Sequence, residues 1–301
     1  MYQRIRRIAR LIARTITIVF LSYAVLFSVA TTVAIIYGAV LVYRPVARVK
    51  SLVNTNPAET LYMEAARRSL DSTANTDTLA HIFVPLDSIS PHLKRAVLAA
   101  EDDGFYTHPG IDLNAIMHAL QHNSTHTGAQ HGASTITQQM AKNLFVGGEK
   151  TYLRKAHELI YSLLMEHYLG KDRILELYLN YAQWGKSIFG CEAAAHHYYG
   201  RSCAHLSLEQ ASRLAAILAM PSRLSPHYTQ SGFMNKRMRV IANNLHTRKY
   251  IDDSTRSELS GTAPDSSPPE SAVLDSLSPR EADQEEETVE DSANRRNRLS
   301  F

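Results

Sequence analysis

Through the middle of this chain, apolar residues recur with the period of amphipathic helices. Ser90 and Pro91 make a helix start, and Leu93, Ala96, Val97 and Ala100 follow at i, i+3, i+4 and i+7. Asp112 is placed to cap a second helix that carries Leu113, Ile116, Met117 and Leu120. The run YLRKAHELIYSLLMEHYLG ends at Gly170, a helix stop, and KDRILELYLN follows it. Ser207 and Gln210 have capping-box spacing before ASRLAAILAM, which Pro221 ends. Met234, Met238, Ile241 and Leu245 predict a last helix. Strand-like alternation is scarce, so the folded part is expected to be mainly α.

Both ends of the chain break this pattern. Between Arg14 and Arg44 lies TITIVFLSYAVLFSVATTVAIIYGAVLVY, which has no charged residue and is long enough for one tilted transmembrane helix. It is too long for a secretory h-region and no A-x-A-like cleavage site follows, so it reads as an uncleaved signal anchor. Arg4, Arg6, Arg7, Arg10 and Arg14 precede the span, against Arg44, Arg48 and Lys50 after it. That asymmetry predicts the N-terminus inside and the rest of the chain outside the cytoplasm. After Ile251 the sequence turns rich in Ser, Pro and Glu with few aromatics, the composition of a disordered, solvated tail. The expected division is a basic N-terminus at 1–14, an anchor at 15–43, a linker with one short helix at 44–80, a folded domain at 81–250 and the tail at 251–301.

One predicted helix carries polar groups where a buried stripe belongs. In STITQQMAKN, Thr135, Gln138, Gln139 and Lys142 fall at i, i+3, i+4 and i+7, beside an apolar stripe of Ile136, Met140 and Leu144. Thr135 and Gln138 also have capping-box spacing, and Lys142 has the place of a solvated end-of-helix charge. Gln139 is left over, and a row of amides and hydroxyls leading to a lysine suits a sugar joined to phosphate.

Two acids stand out. Glu101, in AAEDDGFYTHPGID, borders the core stripe of its helix near the Gly104 break, where a partly desolvated carboxylate would suit a general base. The ordinary alternative is that Glu101 and Asp102 are surface acids at a helix end. Glu158 has Arg154 at i−4 and Lys155 at i−3, which on an isolated helix is a solvent-exposed ion-pair cluster. Its functional alternative is a carboxylate held among cations that face an anionic ligand.

The remaining composition narrows little. A net charge of +3 over 301 residues does not suggest nucleic acid as a partner, since no basic stripe is concentrated on the folded part. His118, His122 and His126 recur every four residues and His131 follows, but the stretch reads as loop beyond Gln121 and no carboxylate completes a metal set. Cys191 and Cys203 are the only cysteines, and a disulfide and two buried thiols are both open.

Taken together and in order, EDDGFYTHPG, GASTITQQMAKN, RKAHE, KDRILELYLN and RLAAILAMPSRLSP resemble the motifs of family 51 glycosyltransferases, the peptidoglycan polymerases. The resemblance implies a lysozyme-like, two-lobed glycosyltransferase domain behind one N-terminal transmembrane helix, with the smaller lobe facing the membrane. It implies polymerisation of lipid II into β-1,4-linked glycan with loss of undecaprenyl pyrophosphate, on the outer face of a bacterial cytoplasmic membrane. Its partners would be lipid II, the growing glycan chain, the bilayer and other cell-wall synthesis proteins. By the resemblance, Glu101 is the general base and Glu158 the second catalytic acid. Ser134, Thr135, Gln138, Gln139, Lys142, Lys150, Arg154 and Lys155 would bind substrate, with Asp102, Phe105, His108 and Asn143 in support. No cofactor is implied beyond an optional divalent cation such as Mg2+ or Mn2+.

Three positions depart from the family pattern. Gly132-Ala133 stands where two glycines are frequent, Lys150 where arginine is usual, and Arg223-Leu224-Ser225-Pro226 in place of a tyrosine-containing turn. The residues after Tyr250 hold no S-x-x-K or K-T-G element, so peptide cross-linking is not expected. The rival readings are a lysozyme-like glycan hydrolase and a catalytically silent membrane scaffold of the cell-wall machinery. The first would have little use for Lys142, Arg154 and Lys155 together, and the second would not need both glutamates.

Overall fold

The structure, a computed structural model, describes residues 2–72, 78–125, 134–147, 152–229 and 231–261. It divides after Leu52 into two compact units. The first is one helix, α1 (Tyr2–Ser51), which continues past Arg44 and through Pro45. Its window Arg6–Val33 is long and apolar enough to cross a membrane, with a mean hydropathy of 2.1. The helix thus overruns both expected limits of the anchor, because neither the basic residues before the span nor the single proline after it ends helical hydrogen bonding.

The second unit is built from helices and one minimal sheet. In order come α2 (Leu61–Ser72), β1 (Ala80–His81), α3 (Pro91–Glu101), α4 (Leu113–Thr125), α5 (Ile136–Ala141), α6 (Tyr152–Tyr168) and α7 (Gly170–Tyr181). Then follow β2 (Ile188–Phe189), α8 (Cys191–Tyr199), α9 (Leu208–Ile217), α10 (Gly232–Thr247) and α11 (Asp253–Ser260). The two strands pair in parallel, Ala80 with Ile188 and His81 with Phe189. The folded part is mainly α, as its periodicity predicts.

Local signals account for most helix ends. Ser90 caps α3 with Pro91 in its first turn, and Asp112 accepts from the Ala115 N–H at the start of α4. Ser207 and Gln210 form the expected capping box of α9. Helix α4 runs on to Thr125, beyond the loop expected after Gln121, and α11 occupies the first residues of the segment read as tail. Asp252 caps α11, accepting from the Thr255 N–H, a start signal that composition alone does not weigh.

The helices fall into two groups. In one, α3 packs against α9 and α10, and α10 against α11. Small residues face each other there, with Ala96 and Ala99 of α3, Ala211, Ala215 and Ala216 of α9 and Ala242 of α10 all buried, so the helix axes approach closely. In the other, α5 packs between α6 and α7, and α2 covers the turn after α5. Asn180, wholly buried on α7, accepts from the Val84 N–H and donates to the carbonyls of Val84 and Glu176. All its polar atoms are used in fastening the entry strand of the domain to α7.

Candidate active site

Helix α5 is short and buried almost all round, which alters the meaning of its polar stripe. Ile136, Thr137, Gln138, Met140 and Ala141 are all buried. Thr135 is the N-cap and its hydroxyl accepts from the Gln138 N–H at 3.2 Å while donating to the Gly110 carbonyl at 2.7 Å. Gln138 returns its Oε1 to the Thr135 N–H, completing the capping box. Both Thr135 and Gln138, expected at the substrate, are 3% exposed, and their side chains close the helix.

Gln139 points elsewhere, to the end of α3. Its Nε2 donates to Glu101 Oε2 at 3.0 Å, and its Oε1 accepts from the Tyr178 hydroxyl at 3.0 Å. The other oxygen of Glu101 accepts from an Arg237 guanidinium nitrogen at 2.7 Å. Glu101 thus stands at the last position of α3 with each oxygen fixed by a donor from a different helix, its side chain 12% exposed. Tyr178 is fully enclosed, and burial, reinforced by the nearby Glu101 charge, pushes its hydroxyl well above the ordinary phenol range. It stays a donor, and so it fixes which way the Gln139 amide faces.

Asp102, one residue on, belongs to the framework. Its Oδ2 accepts from the Ile136 N–H at the start of α5 at 2.9 Å, and its Oδ1 lies 2.8 Å from His108 Nε2. Because the Gly110 N–H donates to His108 Nδ1, the imidazole proton sits on Nε2, facing Asp102. Burial raises the pKa of Asp102, and the bonds from His108 and Ile136 oppose that rise. Gly110 has φ +84, and a Cβ there would meet Glu166 Cγ at 2.6 Å, so only glycine fits. Phe105 is wholly buried beneath the Lys171 ammonium, which lies 4.4 Å from its ring centroid. Asp102, Phe105 and His108 thus all pack behind the end of α3 and the start of α5.

The second acid differs from an ordinary surface cluster. Glu158 is 3% exposed, with Arg154 on Oε2 at 3.0 Å and Lys155 on Oε1. Lys155 is half in solvent, and its ammonium reaches toward the hydroxyl of Ser134 at 3.5 Å. The carboxylate is buried while one of its cations faces outward, which the spacing alone does not distinguish from an exposed ion pair. Each Glu158 oxygen faces one protein cation in this structure. Among the described residues no three His, Cys, Asp or Glu side chains converge as a metal cage.

Helix α5 connects the two acids. At its N-terminal end Ser134 meets Lys155, and about one helical turn past the N-cap Gln139 meets Glu101. After Ala141 the chain widens into a π-helical turn, Lys142–Val146, which includes Asn143 and closes at Gly147. Such turns cost hydrogen-bond geometry and recur at functional sites. The Lys142 ammonium lies 5.4 Å from the Tyr62 ring centroid on α2. Lys150, His126, His131 and the Gly132-Ala133 pair lie outside the described residues. The Arg223–Pro226 stretch leaves a tight turn that begins at Met220, whose carbonyl accepts from the Arg223 and Leu224 N–H groups.

Arg237 and Tyr178 are the residues that the sequence reading missed. Arg237 had a usable signal, since it lies three residues after Met234 and four before Ile241, both on the buried stripe of α10. An arginine at the edge of a core face needs a carboxylate partner.

Known proteins provide an independent line. The sequence profile described as "Transglycosylase" matches residues 68–246. A protein of Janthinobacterium sp. (strain Marseille) named "Biosynthetic peptidoglycan transglycosylase" is 40% identical over 195 residues, 65% of this chain and 84% of that protein. One of the same name from Ralstonia nicotianae is 48% identical over 168 residues, 55% of this chain and 71% of its own. A crystal structure of penicillin-binding protein 1A from Haemophilus influenzae covers 60% of this chain and 17% of its own at 21% identity and a TM-score of 0.34, which adds nothing to the fold described above. With more than half of its length matched, this chain belongs to the transglycosylase family.

Proposed function

We propose that this chain polymerises lipid II into β-1,4-linked peptidoglycan glycan, with Glu101 as general base. The observation that carries the reading is the carboxylate of Glu101, held by Gln139 on one oxygen and Arg237 on the other. A carboxylate oxygen that already accepts one hydrogen bond retains a lone pair for another. Glu101 takes the proton from the acceptor sugar's 4-hydroxyl as that oxygen attacks the anomeric carbon of the donor. The bond to the lipid pyrophosphate breaks from the opposite side, so the configuration inverts, and the electron pair leaves with the diphosphate.

Charge then builds on the leaving group. Lys155 reaches toward Ser134 at the start of α5, and Glu158 pairs with both Lys155 and Arg154 from beneath. Their role is to bind the diphosphate and stabilise its departure. Lys142, at the opening of the π-helical turn, adds a further cation to the substrate face, and Ser134 a hydroxyl. Every step uses groups of this chain.

The lipid-linked substrate calls for contact with a bilayer. Helix α1 serves as the anchor, with the N-terminus inside and the catalytic unit on the outer face of the cytoplasmic membrane. Large apolar side chains are also exposed on the catalytic unit, among them Leu113 and Met117 on α4 and Leu153 and Ile160 on α6. Exposed apolar side chains of this size suit contact with a lipid surface. Other cell-wall synthesis proteins are proposed partners on the same membrane.

The test uses purified full-length protein in detergent with labelled lipid II, its products run beside a lysozyme digest. Long lysozyme-sensitive polymer from the wild type, and a loss of roughly a hundred- to ten-thousandfold in Glu101→Gln with unchanged melting, support the reading. Shortening of preformed glycan would establish a hydrolase instead. No turnover of lipid II by a cooperatively melting wild type would favour the scaffold.

A further inference from the structure

The two cysteines take no part in the site described above, yet the fold brings them together. Cys191 is the first residue of α8, and Cys203 lies in the short 3-10 turn that follows the helix. Both are 0% exposed, and the Cys191 S–H donates to Cys203 Sγ at 3.7 Å. They are the only two cysteines in the chain.

Each cysteine is held in place by contacts that do not involve the other. Before Cys191, Gly190 has φ +83, and a Cβ there would meet the Asn180 carbonyl oxygen at 2.6 Å, so the start of α8 is pressed against the end of α7. The Gly190 N–H donates to the Ala182 carbonyl at 3.0 Å. On the other side, Glu192 Oε2 accepts from the Cys203 N–H at 2.8 Å and from the Ser202 hydroxyl at 3.0 Å. Gly200 takes the left-handed conformation that ends α8 and turns the chain back. A bonded pair needs sulfurs about 2.05 Å apart, so closure requires the 3.7 Å separation to shorten.

We propose that Cys191 and Cys203 are the two halves of an intrachain disulfide that closes when the folding chain meets a disulfide oxidant. The step is exchange: one cysteine thiolate attacks the oxidant R–S–S–R and releases one RSH. The second cysteine then attacks the mixed disulfide and releases the other. Two cysteine S–H bonds are lost, one S–S bond forms, and both protons and both electrons end on two RSH. The adjacent Cys191 sulfur, burial and the Glu192 charge push the Cys203 thiol upward, so exchange is slow once the domain has folded. Closure therefore belongs to folding, and burial then shields the bond from reductant.

The full chain is synthesised cell-free into detergent micelles containing either oxidised or reduced glutathione, so that it folds with the oxidant present whatever compartment it occupies in the cell. Cooperative melting, rather than turnover of lipid II, reports folding, which keeps the outcome independent of the polymerase reading. The expected result in oxidised glutathione is a protease fragment that joins the Cys191 and Cys203 peptides. Its melting temperature should lie about 5 °C above the reduced sample, a difference absent from Cys203→Ala. Two alkylatable thiols, glutathione adducts alone or disulfide-linked dimers in a cooperatively melting oxidised sample would overturn the proposal.

Discussion

Arg237 on α10 and Glu101 at the end of α3 are 136 positions apart in sequence and 2.7 Å apart in space, guanidinium against carboxylate. The contact ties the helix that ends in the candidate base to a helix from the far end of the domain. Arg237 acts as a positioning residue. Shortening it to alanine frees one Glu101 oxygen to swing, and a small displacement of a base is expensive. Arg237→Ala is expected to lower kcat roughly 10- to 100-fold with little change in KM, and Arg237→Lys to fall between. Steady-state kinetics on lipid II check this, and equal losses in kcat and KM would assign Arg237 to substrate binding.

Tyr178 makes the same argument one bond further away. Its hydroxyl donates to Gln139, whose amide in turn holds Glu101. In Tyr178→Phe the Gln139 oxygen loses its donor in a part-buried place, at a cost of about 1–3 kcal/mol. Denaturant unfolding should register that loss. Turnover should fall by less than in Gln139→Ala, where the bond to Glu101 itself is gone.

Much of this fold was legible because its signals are local. Ser90-Pro91, the Ser207 and Gln210 box and the Met234 stripe each act within a few residues, and the structure uses all of them. The Thr135 and Gln138 box was legible too, but sequence alone could not say that both side chains are buried in making it. Glu158 shows the same limit, since a buried carboxylate and an exposed i, i+4 pair have one spacing. Contacts such as Glu101 with Arg237 or Asp102 with Ile136 join distant segments and leave no period to read. The π-helical turn at Lys142–Val146 likewise packs against α2 and α6, and no local signal in the residues marks it.

Around Glu158 the two sides of the ion pair should respond unequally. Glu158→Gln removes a buried charge, leaving Lys155 already half in solvent and Arg154 with an amide oxygen to donate to, so the stability cost should be about 1–2 kcal/mol. The double change Arg154→Ala with Lys155→Ala strands the buried carboxylate, at a cost of about 3 kcal/mol or more. Both variants should lose polymerase activity. Equal destabilisation in denaturant titrations would mean that Glu158 is solvated, contrary to the structure.

Asp102 gives a prediction in pH. Its pKa is raised above the ordinary carboxylate value by burial, so in the window between the two values the folded chain binds more protons than the unfolded one. The contribution of this group is therefore most favourable in acid and declines as the pH rises through the folded-state value. Asp102→Asn removes that dependence but also breaks the network. An amide offers one acceptor where the Ile136 N–H and His108 Nε2 need two, and shifting the imidazole proton would set it against the Gly110 N–H. The variant is expected to be less stable than wild type by about 1–3 kcal/mol at neutral pH. Measured by denaturant unfolding from about pH 4 upward, the wild-type advantage should shrink as the pH rises out of the acid range. An advantage that grows with pH would show that the hydrogen bonds to the charged form outweigh burial, reversing the assigned sign.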